Sequence, residues 1–111
     1  MTSFDLFKEA VKLLDSKPDL KKQILAYNKT FQFNILNGSA FYVEARGDEL
    51  RVELGEKQPA NATITASDQV LEDIFSGKLD GVQAFMQGKL KIAGDIFSVQ
   101  KLSSDIMKAR K

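Results

Sequence analysis

Between residues 31 and 54 the chain repeats every second residue, and no other feature of it narrows the fold so far. Phe31, Phe33 and Ile35 alternate with Gln32 and Asn34. Phe41, Val43 and Ala45 alternate with Tyr42, Glu44 and Arg46. Leu50, Val52 and Leu54 alternate with Glu49, Arg51 and Glu53. A period of two sends successive side chains to opposite faces of a strand. Asn37-Gly38 and Gly47-Asp48 separate the runs and are tight-turn dipeptides. The expectation is an antiparallel meander with Phe31, Phe33, Ile35, Phe41, Val43, Leu50, Val52 and Leu54 on a buried face and the interleaved polar residues in water.

On either side of the meander the period is 3.6. Phe7, Ala10, Val11 and Leu14 recur as one helix face over residues 4–15, with Leu6 and Leu13 beside them and Thr2 or Ser3 as N-cap. Pro18 suits the first turn of a second helix carrying Leu20, Ile24 and Tyr27. After the loop 55–59, Ala62, Ile64 and Ala66 alternate with Asn61, Thr63 and Thr65 as a fourth strand. Ser67 or Asp68 caps a helix with Val70, Leu71, Ile74 and Phe75 that stops at Gly77. Asp80 caps a short helix with Val82, Phe85 and Met86, broken by Gly88. Lys89-Leu90-Lys91-Ile92 alternates as a fifth strand, and Gly94-Asp95 starts a last helix striped by Val99, Leu102, Ile106 and Ala109. With 111 residues the chain is expected to be one domain, 1–111, of the α+β class: a five-stranded, mainly antiparallel sheet with helices covering one face.

The chain contains no histidine and no cysteine. Histidine general bases, cysteine nucleophiles, disulfides and zinc sites with nitrogen or sulfur ligands are therefore excluded. Glu72 and Asp73 are neighbours on a helix and point apart, which makes no acid–base dyad. These exclusions tilt the reading from catalysis toward binding. No run of apolar residues approaches the length of a membrane span. The N-terminus lacks a basic segment followed by an apolar one, and Ala109-Arg110-Lys111 lacks the leucine of a peroxisomal address. A cytoplasmic protein is the expectation.

The net charge of +1 is unevenly spread: residues 31–77 carry three basic and eight acidic groups, residues 78–111 seven basic and three acidic. The basic third suits either an anionic membrane surface or ordinary solvated faces with short pairs such as Lys101–Asp105. Nucleic acid is not an expected partner, because the basic residues do not interleave with aromatics. Lys89 and Lys91 share the polar face of the fifth strand. With Lys78 and Lys101 they are either solvated or contacts for a phosphate headgroup or the phosphates of coenzyme A.

One layer of two long helices would cover the sheet, yet the chain offers about five helices. The late ones carry Phe75, Phe85, Met86, Phe97 and Met107, and Phe with flexible Met suits an adaptable apolar cavity. The same residue types also fill a plain core, and periodicity does not separate the two.

The stretch Ser76-Gly77-Lys78-Leu79-Asp80, followed by the run from Gln83-Ala84-Phe85-Met86 through Gly88-Lys89-Leu90-Lys91 to Gly94-Asp95-Ile96, resembles the signature of the sterol carrier protein type 2 family. That pattern is a Gly-Lys-Leu turn, a Lys/Gln-Ala-Phe-Phe/Met helix, Gly-Lys/Arg-Leu-Lys, a glycine and Asp or Asn, then Gln-Lys-Leu, here Gln100-Lys101-Leu102. Upstream, residues 62–68 fit the family strand that leads into its helix. The resemblance covers most of the chain and is most specific over residues 60–102. Asp80-Gly81 departs from it, standing where the family often has proline.

The resemblance implies an apolar tunnel between sheet and helices and non-covalent binding of fatty acids, fatty acyl-CoA, sterols or phospholipids, with no catalysis and no cofactor. It places Phe75, Phe85, Met86, Leu90 and Ile92 in the tunnel wall. The last helix, with Ile96, Phe97, Gln100, Ile106 and Met107, becomes cover or gate, and Gln100 is the polar ligand contact by motif. The implied partners are the lipid or acyl-CoA ligand, a transient membrane surface, or a partner enzyme. The alternative reading is an accessory module presenting an apolar intermediate to that enzyme.

Overall fold

Thr2 opens the first helix with a reciprocal cap. Its hydroxyl accepts from the Asp5 N–H, and the Asp5 carboxylate accepts from the Thr2 N–H, both at 3.1 Å. Helix α1 (Ser3–Leu13) runs into a 3-10 turn at Leu14–Ser16, and Pro18 begins α2 (Pro18–Leu25). The structure, a computed structural model, describes residues 2–110. Met1 and Lys111, the outermost residues of the two ends inspected for targeting signals, lie outside the described residues.

Strands β1 (Lys29–Leu36), β2 (Phe41–Arg46) and β3 (Glu49–Leu54) form the expected meander. They are followed by β4 (Ala62–Ser67), α3 (Asp68–Phe75), α4 (Gly81–Met86), β5 (Leu90–Gly94) and α5 (Ile96–Ala109). The sheet order is β3-β2-β1-β4-β5, so β3 and β5 are the edges. Three neighbouring pairs are antiparallel, and β1–β4 is parallel. The fold is thus α+β with a mixed, mostly antiparallel sheet.

Register aligns the apolar alternation across all five strands. Phe33 faces Phe41 on one side and Ile64 on the other; Ile64 faces Ile92, and Val43 faces Val52. The rings of Phe33 and Phe41 stack at 4.7 Å with only 7° between their planes. From α1, Phe7 leans on both, and its edge meets Phe75 of α3 at 5.2 Å. Ser3, fully buried, ties the starts of α1 and α3 together: its hydroxyl donates to the Asp68 carboxylate at 2.6 Å.

Three expectations are corrected by the tertiary structure. Gln32, assigned to the wet face by alternation, is fully buried, as is Thr30 two residues before it on the same face. The parallel β1–β4 pair is the reason. Residues 55–61 must cross from edge strand β3 to β4, and they do so over the outer face of the sheet. There Gln32 donates to the Phe41 and Gly55 carbonyls, each at 3.2 Å, and accepts from the Lys57 N–H at 2.8 Å. Asn61 completes the strap, accepting from the Thr30 N–H at 2.8 Å. Leu54, expected in the core, lies at the end of an edge strand and is 60% exposed. The Lys101–Asp105 pair is replaced: Lys101 sits over the Tyr27 ring, while Asp105 faces Lys108 at 3.7 Å.

Gly94 closes β5 at φ +96°, and a Cβ there would stand 2.4 Å from the Asn61 carbonyl oxygen. Both constraints leave glycine as the residue that turns β5 into α5 against the strap.

Candidate functional site

The sheet is wider than its helical cover is tight. Between the β4–β5 side of the sheet and helices α3, α4 and α5 lies a cavity of about 530 Å³. Phe33, Ile64, Leu90 and Ile92 form its floor, since alternate residues of those strands share the helix-side face. Leu71, Ile74 and Phe75 of α3 form one wall. Ile96, Val99, Gln100 and Met107 of α5 form the opposite one. Val82 and Phe85 of α4 line it as well and are 46% and 39% exposed, so this side reaches the surface.

Of the residues singled out in the sequence, Phe75, Phe85, Leu90, Ile92, Ile96, Gln100 and Met107 come together on this cavity. Met86, Phe97 and Ile106 do not line it. Met86 and Phe97 are 78% and 82% exposed, and Ile106 is sealed in the core. On α4 and α5 these residues sit one position away from lining ones, which rotates them by roughly 100°. Lys89 and Lys91 are also absent from the lining. Lys91 leaves β5 between Leu90 and Ile92, hence from the other face of the strand.

The polar part of the lining is Asp80, Gln100, Ser103, Ser104 and Lys108. Asp80 is spent as the α4 cap, accepting from the Val82 N–H. Among the described residues Lys108 is the one basic side chain on the cavity, and alternation arguments passed over it because it belongs to a helix. Spacing from Gln100 could have flagged it: eight residues is a little over two helical turns.

Beneath this wall the buried Asp105 carboxylate accepts a short hydrogen bond from the Tyr27 hydroxyl. Burial, reinforced by that carboxylate, pushes the Tyr27 phenol well above its usual range. Phenol and carboxylate thus anchor α5 to the segment before β1. No group of Asp and Glu side chains among the described residues is arranged to hold a metal.

The start of α5 is held by charge. Asp95 accepts from the Ser98 hydroxyl at 2.7 Å and the Ser98 N–H at 3.1 Å, and it pairs with Lys29 at 2.9 Å. The Ser98 hydroxyl first, then Lys29 and the Ser98 N–H, lower its carboxyl from 3.8 to about 2. A depressed native value means that the unfolded chain takes up the proton first. The stabilisation is complete above about pH 4 and is lost as the pH falls through 2. Asp95→Asn keeps a capping oxygen but not the charge. In urea unfolding at pH 5 the parent is expected to be more stable than this variant, with the gap closing toward pH 2. A gap independent of pH would refute the assignment.

Comparison with known proteins places residues 7–107 within the SCP-2 sterol transfer family. Sterol carrier protein 2 of Rattus norvegicus is 30% identical over 104 residues, 89% of this chain; the chain spans only 19% of that protein's length. Among solved structures, sterol carrier protein 2 from Yarrowia lipolytica in its apo form superposes with a TM-score of 0.73 at 23% identity, covering 97% of this chain and 89% of that one. Palmitated SCP2L2 from Aedes aegypti superposes with a TM-score of 0.59 at 27% identity, covering 70% of this chain and 71% of that one.

Proposed function

The chain belongs to the SCP-2 sterol transfer family, and from that premise we propose that it binds one lipid with a long apolar body in the cavity under α5. Binding is non-covalent and no reaction is catalysed. The observation that carries this reading is the cavity itself. At about 530 Å³ it falls within the ~300–1,000 Å³ of small-molecule sites and is walled by Phe, Ile, Leu and Val.

Without a guest, the apolar side chains of this open cleft would face water entering from the exposed Val82–Phe85 side. Water can enter from the open side, but the Phe, Ile, Leu and Val side chains there offer it no hydrogen bonds. An apolar guest removes the conflict, and burying ten methylenes supplies roughly 8 kcal/mol before association costs.

The finer identity we propose is a fatty acid or fatty acyl-CoA. Gln100, Ser103 and Lys108 recur along one face of α5, giving hydrogen bonds and a positive charge for an anionic head where the wall nears solvent. The palmitated Aedes relative supports a single acyl chain as guest.

Two measurements test this. Mass spectrometry of an organic extract of the purified protein should find a stoichiometric lipid. After delipidation, palmitate or palmitoyl-CoA at a hundred times its Kd should add about 2.7 kcal/mol and raise the melting temperature by roughly ten degrees or more. An extract without lipid, together with no shift by palmitate, palmitoyl-CoA or a sterol, would overturn the reading. A stoichiometric protein partner held regardless of lipid would favour the accessory-module alternative.

A further inference from the structure

Among the described residues β3 pairs with β2 on one side and with no strand on the other. Which of its backbone groups are left over follows from the ladder. The two-residue turn Gly47-Asp48 joins Arg46 to Glu49, and past the other end of the strand the Gly55 N–H donates to the Ala40 carbonyl at 2.9 Å. Bonding along an antiparallel ladder alternates. Glu49, Arg51 and Glu53 therefore turn their N–H and C=O groups to β2, while Leu50, Val52 and Leu54 turn theirs away from the sheet. Such outward groups are a template for another strand, and proteins usually blunt them with proline, lysine or an inward-pointing charge. β3 carries none of these. Its helix-side residues are Leu50, Val52 and Leu54, of which Leu54 is 60% exposed, and its charges lie on the outer face. A groove of about 460 Å³ along this edge, between it and Val11 of α1, leaves room for a strand. Lys8 and Lys12 border it too, and Lys8 is turned back over the Phe4 ring at 5.2 Å.

The order of charges selects the occupant. Laid antiparallel against a second copy with Val52 opposite the partner's Val52, β3 sets Leu50 opposite the partner's Leu54 on the helix side. On the outer side it sets Arg51 opposite the partner's Glu53. The outward groups of Leu50, Val52 and Leu54 then bond across the join, and the exposed Leu54 gains an apolar neighbour. Sliding the copy by two residues either way brings like charges together. Arg51 then meets the partner's Arg51, or Glu53 the partner's Glu53.

We propose that the chain forms a two-fold homodimer by joining β3 edge to edge in this register, which makes the two sheets one continuous sheet. Each pairing off the axis occurs twice, as a two-fold interface requires. The cavity lies on the β4–β5 side, at the other end of the sheet, so both copies keep it open. The dimer thus goes beyond the lipid-binding reading and does not rest on it.

Sedimentation equilibrium of the full chain over roughly 5–500 μM should show a reversible dimer, since an interface of one strand pair is small. The Val52 amide should exchange more slowly with deuterated water as the concentration rises. Arg51→Glu and Glu53→Arg each set like charges opposite one another at two symmetric places, and each should weaken the dimer about tenfold or more. Mixed together, the two variants should dimerise like the parent. Across the join the two substitutions then face each other, as do the two unchanged residues. Misfolding of either variant would not give this recovery. A parent that stays monomeric over the whole range would overturn the proposal and leave the edge to a strand of another protein. Dimers retained by both single variants, or no recovery on mixing, would also overturn it, since the contact would then lie elsewhere. So would dimerisation that requires palmitate.

Discussion

With Val99 and Ser103 replaced by tryptophan and phenylalanine, palmitate binding is expected to fall by about a hundred-fold or more, while the melting temperature stays near that of the parent. Both positions line the cavity and lie four residues apart on α5, so the two new rings stack on one helix face and occupy the same stretch of the void. Displacing about four methylenes of an acyl chain forfeits roughly 3 kcal/mol, and each 1.4 kcal/mol is a factor of ten. Added side-chain volume normally strains a core, but here it enters space that protein atoms do not use. Titration calorimetry of the delipidated double variant checks the prediction. Parental affinity in a variant that melts normally would move the guest to another part of the molecule.

The second large effect is on stability. Phe41→Ala is expected to lower the unfolding free energy by about 3–5 kcal/mol, the range for truncating a buried aromatic ring. Phe41 is completely buried, stacked on Phe33 and met edge-on by Phe4 at 5.5 Å. Its loss opens a void where the meander and α1 meet and removes the ring against which Phe4, Phe7 and Phe33 pack. A domain of this size has only ~5–15 kcal/mol in total, and the variant should unfold at a much lower urea concentration. Phe97→Ala serves as the contrast. At 82% exposure its loss should change stability by no more than about 0.5 kcal/mol. Equal losses in the two variants would contradict the burial on which the core is drawn.

Much of this architecture was legible before any coordinates. Alternation over 31–54 marked three strands and their buried sides, and Ser67, Asp80 and Asp95 marked helix starts where the structure has capping hydrogen bonds. What escaped was whatever depends on how elements cross. Gln32 alternates like a solvated residue, and only the strap from Gly55 to Asn61 brings its amide the Gly55 carbonyl and the Lys57 N–H, beside the Phe41 carbonyl of β2, in place of water. Met86 and Phe97 have the composition of a cavity wall, but one helical step turns them to the surface. Lys108, among charges at the end of a helix, is tied to the cavity only by its spacing from Gln100, and that spacing points to a cavity only once Gln100 is known to line one.

By itself, then, the sequence determined the periods, the turns, the caps and the absence of histidine and cysteine chemistry. Each of these follows from the stereochemistry of a few neighbouring residues. The parallel pairing of β1 with β4, the burial of Gln32 and the space under α5 were decided only in three dimensions. A void is a property of the distance between surfaces brought together from far along the chain. A phenylalanine that fills a core and one that lines a cavity obey the same local pattern, and the difference lies in how closely the opposite wall approaches.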